Sequence, residues 1–129
     1  MFSFFFERVV LNFLLGNGDA HLKNYSISYG QLMKIRLSPA YDIVSSRLAI
    51  PDEGEESALA INGKKNKLSK EDFEALAQYL QIPVSVRYEK FIKKYGQIKK
   101  IINSSRLFPQ EQESFIAIVK ERSQRMGFC

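Results

Sequence analysis

Two polar side chains that suit phosphate chemistry, Asp19 and Asn24, stand five residues apart. The segment that holds them reads Gly18-Asp19-Ala20-His21-Leu22-Lys23-Asn24. The same interval separates Asp and Asn in the catalytic loop of kinases. Phosphoryl transfer requires a carboxylate that orients the attacking hydroxyl, and oxygen ligands that hold Mg²⁺ on the phosphates. Asp19 can provide that carboxylate, and the side-chain oxygen of Asn24 can bind the metal.

A magnesium site of this kind needs a second carboxylate, and Asp42 follows a stretch that predicts a β-hairpin. Mg²⁺ binds few hard oxygen ligands and keeps several waters, so Asn24, Asp42 and phosphate oxygens would complete its shell. The single His21 and the absence of a cysteine cluster argue against zinc. Two neighbouring residues keep two interpretations each. His21 either takes part in catalysis or holds the loop, and Lys23 either contacts a phosphate or lies on the surface.

A helix is predicted from about Phe4 to Leu15, immediately before this segment. Its apolar residues recur at helical spacing and define one face, which consists of Phe6, Val9, Val10, Phe13 and Leu14. Gly16 and Gly18 end the helix, because glycine adopts the positive φ angles that a sharp turn needs. The candidate catalytic loop therefore follows directly on the end of an apolar helix.

Between this loop and Asp42 the sequence predicts a β-hairpin. Residues 25–29 and 32–37 alternate in polarity, and Gly30-Gln31 suits a two-residue turn between them. Ser38-Pro39 stops the second strand. A charged loop at 51–56, a short extended piece at 58–61 and a basic turn at 62–67 are expected to follow.

Three further helices are predicted in the second half of the chain. Ser69 and Asp72 form a capping-box-like start for the first, whose apolar face consists of Phe73, Leu76, Ala77 and Leu80. The second extends from about Ser85 to Ile102 and turns inward Tyr88, Phe91, Ile92, Tyr95 and Ile98. Pro109 opens the third, which stops at Gly127 and turns inward Phe115, Ile118, Val119 and Met126. The predicted fold class is mainly α (α+β), a helical domain with one β-hairpin next to the catalytic loop.

The composition is that of one globular domain. The chain has 129 residues, of which 45% are hydrophobic and 26% charged, and a net charge of +5. A basic balance suits an anionic partner such as ATP, nucleic acid or an acidic protein surface. The lone cysteine, Cys129, excludes an internal disulfide and fits a reducing cytoplasm. No apolar run approaches the roughly 20 residues that span a bilayer, so no membrane segment is expected.

Two motifs together resemble the C-terminal lobe of the HipA-type bacterial toxin kinases. The first is the segment 18–24 quoted above, and the second reads Leu37-Ser38-Pro39-Ala40-Tyr41-Asp42-Ile43. The later run Leu59-Ala60-Ile61-Asn62-Gly63-Lys64, which precedes a helix opening at Lys70-Glu71-Asp72-Phe73, is similar as well. The order of elements also resembles a kinase C-lobe, and the resemblance covers nearly the whole chain, 1–129.

The resemblance implies a serine/threonine kinase fold that acts in a toxin–antitoxin pair and uses ATP with Mg²⁺. It makes Asp19 the catalytic base, and the residues themselves leave His21 and Lys23 as further catalytic candidates. Lys23, Asn24 and Asp42 would bind the cofactor, and Asn24 and Asp42 would hold the metal. Family members phosphorylate aminoacyl-tRNA synthetases and bind a small DNA-binding antitoxin, so these are the expected classes of partner.

The remaining parts of an ATP site are expected from another lobe. Kinases need a strand Lys for the α- and β-phosphates and a loop that covers the phosphates, and both belong to an N-lobe. Only 17 residues precede Gly18, and they contain no Walker or glycine-rich phosphate motif. We therefore expect this chain to be a fragment of a larger kinase, inactive without its N-lobe.

Three other functions remain open from the residues alone. Small-molecule kinases of the aminoglycoside and choline type share the Asp and Asn spacing, but they usually place His where this chain has Asn17. A non-catalytic, kinase-like binding or regulatory module would also lack an N-lobe. Direct nucleic-acid binding has no recognised motif and only dispersed basic residues. The cluster of Lys64, Lys65 and Lys67 could contact such a partner or form a solvated loop.

Overall fold

A computed structural model describes residues 2–41, 43–52 and 54–128. The helices are α1 (Phe2–Leu14), α2 (Ser46–Ala49), α3 (Lys70–Tyr79), α4 (Glu89–Asn103) and α5 (Pro109–Arg125). The strands β1 (Ile27–Tyr29) and β2 (Ile35–Leu37) form an antiparallel hairpin. Short 3₁₀ turns lie at Leu22–Asn24, Gln31–Met33 and Val84–Val86. The predicted fold class, mainly helical with one hairpin, is confirmed.

Helix α1 lies in the centre of the core. The five apolar residues predicted for its inner face, Phe6, Val9, Val10, Phe13 and Leu14, are all buried. They pack among Leu68, Phe73 and Ala77 from the α3 region and Met126 at the end of α5. The ring centroids of Phe13 and Phe73 are 5.0 Å apart. Burial of these large side chains supplies the main driving force for folding and fixes the end of α1 inside the protein.

The end of α1 is closed by a glycine turn. Gly16 has a φ angle of +72°, and its N–H donates to the Phe13 carbonyl at 3.1 Å. The Asn17 N–H donates to the Asn12 carbonyl at 2.8 Å. This pair of hydrogen bonds is the Schellman motif, which satisfies carbonyls that the helix itself leaves without partners.

Side chains from distant parts of the chain close around this turn. A Cβ atom at Gly16 would lie 3.0 Å from Arg47 Cβ and 3.0 Å from Ile118 Cγ2. The buried Arg122 donates through Nη1 to the Phe13 carbonyl at 3.0 Å. Its guanidinium carbon also stands 4.7 Å from the centre of the Phe13 ring. The turn therefore has no room for a side chain at Gly16.

The hairpin differs from its prediction in its turn. Tyr29 pairs with Ile35, so five residues, 30–34, connect the strands rather than Gly30-Gln31 alone. Gly30 has an ordinary φ of −84°, and the positive φ angles fall instead on Leu32 and Met33, at 64° and 60°. The predicted two-residue turn is wrong.

The register explains why the longer loop is used. A two-residue turn would pair Ile27 with Lys34, whereas the observed register pairs Ile27 with Leu37 and Ser28 with Arg36. Apolar residues therefore share one face of the hairpin and polar residues share the other. Because a strand's side chains alternate between faces, the polarity pattern selects the register.

Three smaller expectations are corrected after the hairpin. Helix α4 begins at Glu89 rather than Ser85, because a separate 3₁₀ turn occupies Val84–Val86. Ile92 does not point inward: it is 55% exposed, since α4 lies on the outside and most of its side chains face solvent. In the stretch 58–61 only Ile61 pairs, in a single bridge with Lys64. Along the described residues, no helix is long and apolar enough to cross a membrane.

The start of α3 confirms the predicted capping box. The Asp72 carboxylate accepts the Ser69 N–H at 2.9 Å, which satisfies a backbone donor that the helix leaves free. It also accepts from Lys64 Nζ at 2.8 Å and Asn62 Nδ2 at 3.0 Å. Burial opposes ionisation of Asp72, but these hydrogen bonds and the Lys64 charge outweigh it and lower the pKa to about 2.

Replacement of Gly16 should destabilise the protein for two reasons, the positive φ angle and the close neighbours of the turn. We expect Gly16→Ala to lower the free energy of unfolding by about 2–4 kcal/mol, through a left-handed backbone and a steric clash. Gly127→Ala shares the positive φ (+74°) without any close neighbour and should cost only about 1–2 kcal/mol. Gly96→Ala, inside α4, should stabilise by about 1 kcal/mol. Urea unfolding measures all three, and equal losses at Gly16 and Gly127 would contradict the confinement.

The Asp72 site should make stability depend on acid. The pKa of Asp72 is depressed in the folded protein, so its contribution is complete above the ordinary pKa of 3.8 and is lost as the pH falls towards 2. We expect Asp72→Asn to be less stable than the parent by about 2 kcal/mol at pH 6, with the gap closing between pH 4 and pH 2. Asp52→Asn, at an exposed position, is the control and should show no such gap. Denaturant titrations at each pH test this, and a pH-independent gap would refute the assignment.

Candidate active site

The predicted catalytic loop begins where α1 ends and carries its carboxylate outward. The Asp19 side chain is 71% exposed, and His21 Nε2 lies 3.1 Å from its Oδ1 atom. The His21 ring is itself half exposed. Asp19 is therefore accessible to a substrate, and His21 is placed to orient its carboxylate.

A buried polar chain fixes the backbone beneath Asp19. Asn17 Nδ2 donates to Asn12 Oδ1 at 3.0 Å, and Asn12 Nδ2 donates to the Tyr25 hydroxyl at 3.0 Å. The Asp19 N–H donates to Asn17 Oδ1 at 3.3 Å. Burial raises the pKa of Tyr25, although the hydrogen bond from Asn12 opposes this. The exposed carboxylate is thus attached to a loop whose base is internal and satisfied.

Asn24 closes the other end of the loop. Its Oδ1 atom accepts the His21 N–H at 3.0 Å, and its own N–H donates to the His21 carbonyl at 2.9 Å. These bonds hold the 3₁₀ turn that brings Asp19, His21 and Asn24 into one short loop. An amide oxygen has two lone pairs, so Oδ1 can bind a metal ion while it keeps this hydrogen bond.

Lys23 and Asp42 are the two remaining candidate site residues. The Lys23 side chain is exposed, while its carbonyl accepts the Tyr41 hydroxyl at 2.7 Å. Asp42 lies outside the described residues. Its neighbour Tyr41 nevertheless reaches the loop, so the chain just before Asp42 returns to residues 18–24. The side chain that the loop offers as a metal ligand, Asn24, binds through an oxygen atom, which fits Mg²⁺. In the described ranges, no three His, Cys, Asp or Glu side chains gather as zinc would require.

Ser46 is the structural contact that sequence reasoning missed. Its Oγ accepts the Gly18 N–H at 2.9 Å and donates to the Gly16 carbonyl at 3.2 Å. The Arg47 N–H donates to the same carbonyl at 2.9 Å. The start of α2 is therefore bound to both glycines of the loop. No local signal marks Ser46, because its partners lie about thirty residues away.

Residues 2–105 match the family profile of the HipA-like C-terminal domain. The chain belongs to the HipA-like C-terminal domain family. The resemblance drawn from residues 18–24 and 37–43 is thereby confirmed.

Individual relatives agree with this assignment. The chain is 44% identical over 77 residues to a Sinorhizobium fredii protein named "Putative kinase Y4dM", a segment that covers 57% of this chain and 18% of that protein. It is 45% identical over 40 residues to a "Putative kinase" of Haemophilus influenzae, across 31% of this chain and 12% of that protein.

A solved structure shares the fold. The chain superposes with a TM-score of 0.73 on HipA from the Shewanella oneidensis MR-1 complex of HipA, HipB and operator DNA. The sequences are 23% identical, and the superposition covers 98% of this chain and 32% of that one. The matched part of this chain thus spans less than a third of the length of each of these relatives.

Removal of the Ser46 hydroxyl should loosen the candidate catalytic loop. In Ser46→Ala the Gly18 N–H loses its acceptor, so we expect its hydrogen exchange to become about tenfold faster than in the parent. Ser45→Ala removes the hydroxyl that caps α2 at Leu48 and leaves the Gly18 bond in place, so it is the matched control. Amide exchange measured by NMR distinguishes them. Equal protection of Gly18 in both variants would show that Ser46 does not hold the loop.

Proposed function

We propose that this chain forms the catalytic lobe of a HipA-like serine/threonine protein kinase, which transfers the γ-phosphoryl group of ATP to a protein hydroxyl. The observation that carries the proposal is the exposed Asp19 carboxylate on a loop fixed from within, five residues before the amide oxygen of Asn24. The family and the kinase names of two relatives support it.

Asp19 is the proposed catalytic base. Its carboxylate would accept the proton of the substrate hydroxyl as the hydroxyl oxygen bonds to the γ-phosphorus and the bond to the ADP oxygen breaks. His21, 3.1 Å from this carboxylate, would hold it in position. Exposure of Asp19 leaves room for a protein substrate to approach.

Asn24 and Asp42 are the proposed Mg²⁺ ligands. The ion, when bound, neutralises charge on the phosphates. Asn24 contributes Oδ1, which its hydrogen bond to His21 already orients. Lys23, exposed on the same turn, is the proposed contact to a phosphate oxygen.

The hairpin beside the loop supports the need for a second lobe. Its apolar face, formed by Ile27, Tyr29 and Ile35, is exposed. An apolar face of this kind is normally covered by another protein surface or a ligand. We expect an N-lobe, with the Lys and phosphate-covering loop of an ATP site, to lie over it. The chain by itself is then half of a site and inactive.

The proposed partners follow from the same likeness. HipA of Shewanella oneidensis is found with HipB and operator DNA in one complex. By analogy, we include a DNA-binding antitoxin among the partners of this kinase. The substrate of the kinase would be a cytoplasmic protein, such as an aminoacyl-tRNA synthetase.

Three variants should separate catalysis from metal binding. The chain is combined with the N-lobe of a HipA-like kinase, and phosphoryl transfer and Mg²⁺-dependent ATP binding are both measured. Asp19→Asn should lower the rate about 100- to 10,000-fold with ATP affinity retained. Asn24→Ala and Asp42→Ala should weaken calorimetric binding of ATP only when Mg²⁺ is present.

Asp52→Asn and Asn103→Ala are the matched controls, because both residues are exposed and distant in sequence from the loop. Full activity of Asp19→Asn would sink the proposal. Absence of turnover in the parent mixture, with intact folding, would indicate a non-catalytic module. Phosphate found on a small alcohol and on no protein would indicate a small-molecule kinase.

A further inference from the structure

A groove lies on the side of α1 that faces α4 and the second strand of the hairpin. Its volume is about 780 Å³. The floor and walls are apolar and consist mainly of Phe4, Leu11, Leu37, Phe91, Ile98 and Ile101. Phe4 and Ile101 remain 58% and 66% exposed. Large apolar side chains grouped in a concave site mark a binding surface more often than scattered ones do.

The rim of this groove is cationic. Arg8, Arg36, Lys90 and Lys94 line it, against the single carboxylate of Glu7. Lys90 pairs with Glu7 at 3.0 Å. Within the part of the chain that the structure describes, Arg36 and Lys94 have no carboxylate partner. An apolar floor with uncompensated positive charge above it complements a ligand that is apolar on one side and acidic at its flanks.

The backbone at the groove favours side-chain contacts over strand addition. Arg8 Nη2 donates to the Ser38 carbonyl at 2.7 Å and so occupies one lone pair of this acceptor. Pro39, the next residue, has no N–H to donate. An added strand therefore could not continue past Leu37 with a full set of hydrogen bonds. A helix lying between α1 and α4 would instead place its apolar face on Phe91 and Ile101.

We infer that this groove is a docking site for an acidic amphipathic helix of a protein partner. Apolar anchors of the helix fill the floor, and its Asp or Glu side chains pair with Arg36 and Lys94. Duplex nucleic acid would satisfy the rim but offers few apolar groups for the floor, which favours a protein segment. None of Asp19, His21, Lys23 and Asn24 lines the groove, so the inference stands apart from the proposed phosphoryl transfer.

A random peptide library tests the inference without prior choice of a partner. Displayed peptides of about 16 residues are selected on the immobilised chain, and enriched sequences are labelled and titrated by fluorescence anisotropy. We expect enriched peptides to repeat apolar residues at helical spacing with acidic residues between them. Their affinity should fall at least tenfold in Arg36→Glu/Lys94→Glu and in Ile101→Asp.

Matched variants on α4, outside the groove, provide the controls. Lys99→Glu/Lys100→Glu makes the same change in net charge outside the groove lining, and Ile92→Asp places the same acid at another exposed isoleucine. Both should bind as the parent does, with all melting temperatures unchanged. The inference would be overturned if the enriched peptides lacked acidic residues or if none of them were sensitive to the groove variants. Equal loss of affinity in the control variants, or displacement of the peptide by duplex DNA, would also overturn it.

Discussion

A helix that stops inside a protein leaves carbonyl groups without intrahelical partners, and α1 stops in this way. Here the requirement is met from three directions. The glycine turn returns the N–H groups of Gly16 and Asn17 to the helix, Arg122 donates to Phe13, and Ser46 binds the Gly16 carbonyl. Each donor comes from a different element, so this single helix end holds α2 and α5 against α1.

The candidate catalytic loop, residues 18–24, is held in place by that arrangement. Its base consists of the buried side chains Asn12 and Asn17, which are hydrogen-bonded to each other, and Asn12 is also hydrogen-bonded to Tyr25. Its tip consists of side chains in solvent, with Asp19 and His21 in contact. The proposed catalytic role of Asp19 requires such a hydrogen-bonded base, because a displacement of about 1 Å can lower a reaction rate 100-fold.

The parts of the fold that the sequence predicts correctly depend on local rules. The apolar face of α1 follows from helical spacing, and the Ser69–Asp72 capping box from a signature three residues long. The prediction of a two-residue hairpin turn was wrong because cross-strand pairing, not the position of the glycine, sets the register. Ser46 could not be found, because its role depends on a contact about thirty residues away in the chain. Their sequence spacing predicted that Asp19, His21 and Asn24 share one short loop, whereas the side chains that hold this loop could not be predicted.

The hydrogen bond between Arg122 and Phe13 spans 109 residues of sequence. Arg122 is therefore synthesised 109 residues after Phe13, and the end of α1 waits for that length of chain before it acquires this partner. A polypeptide cut before residue 122 would keep Asp19, His21 and Asn24 but would lack the hydrogen bond that Arg122 donates beneath them.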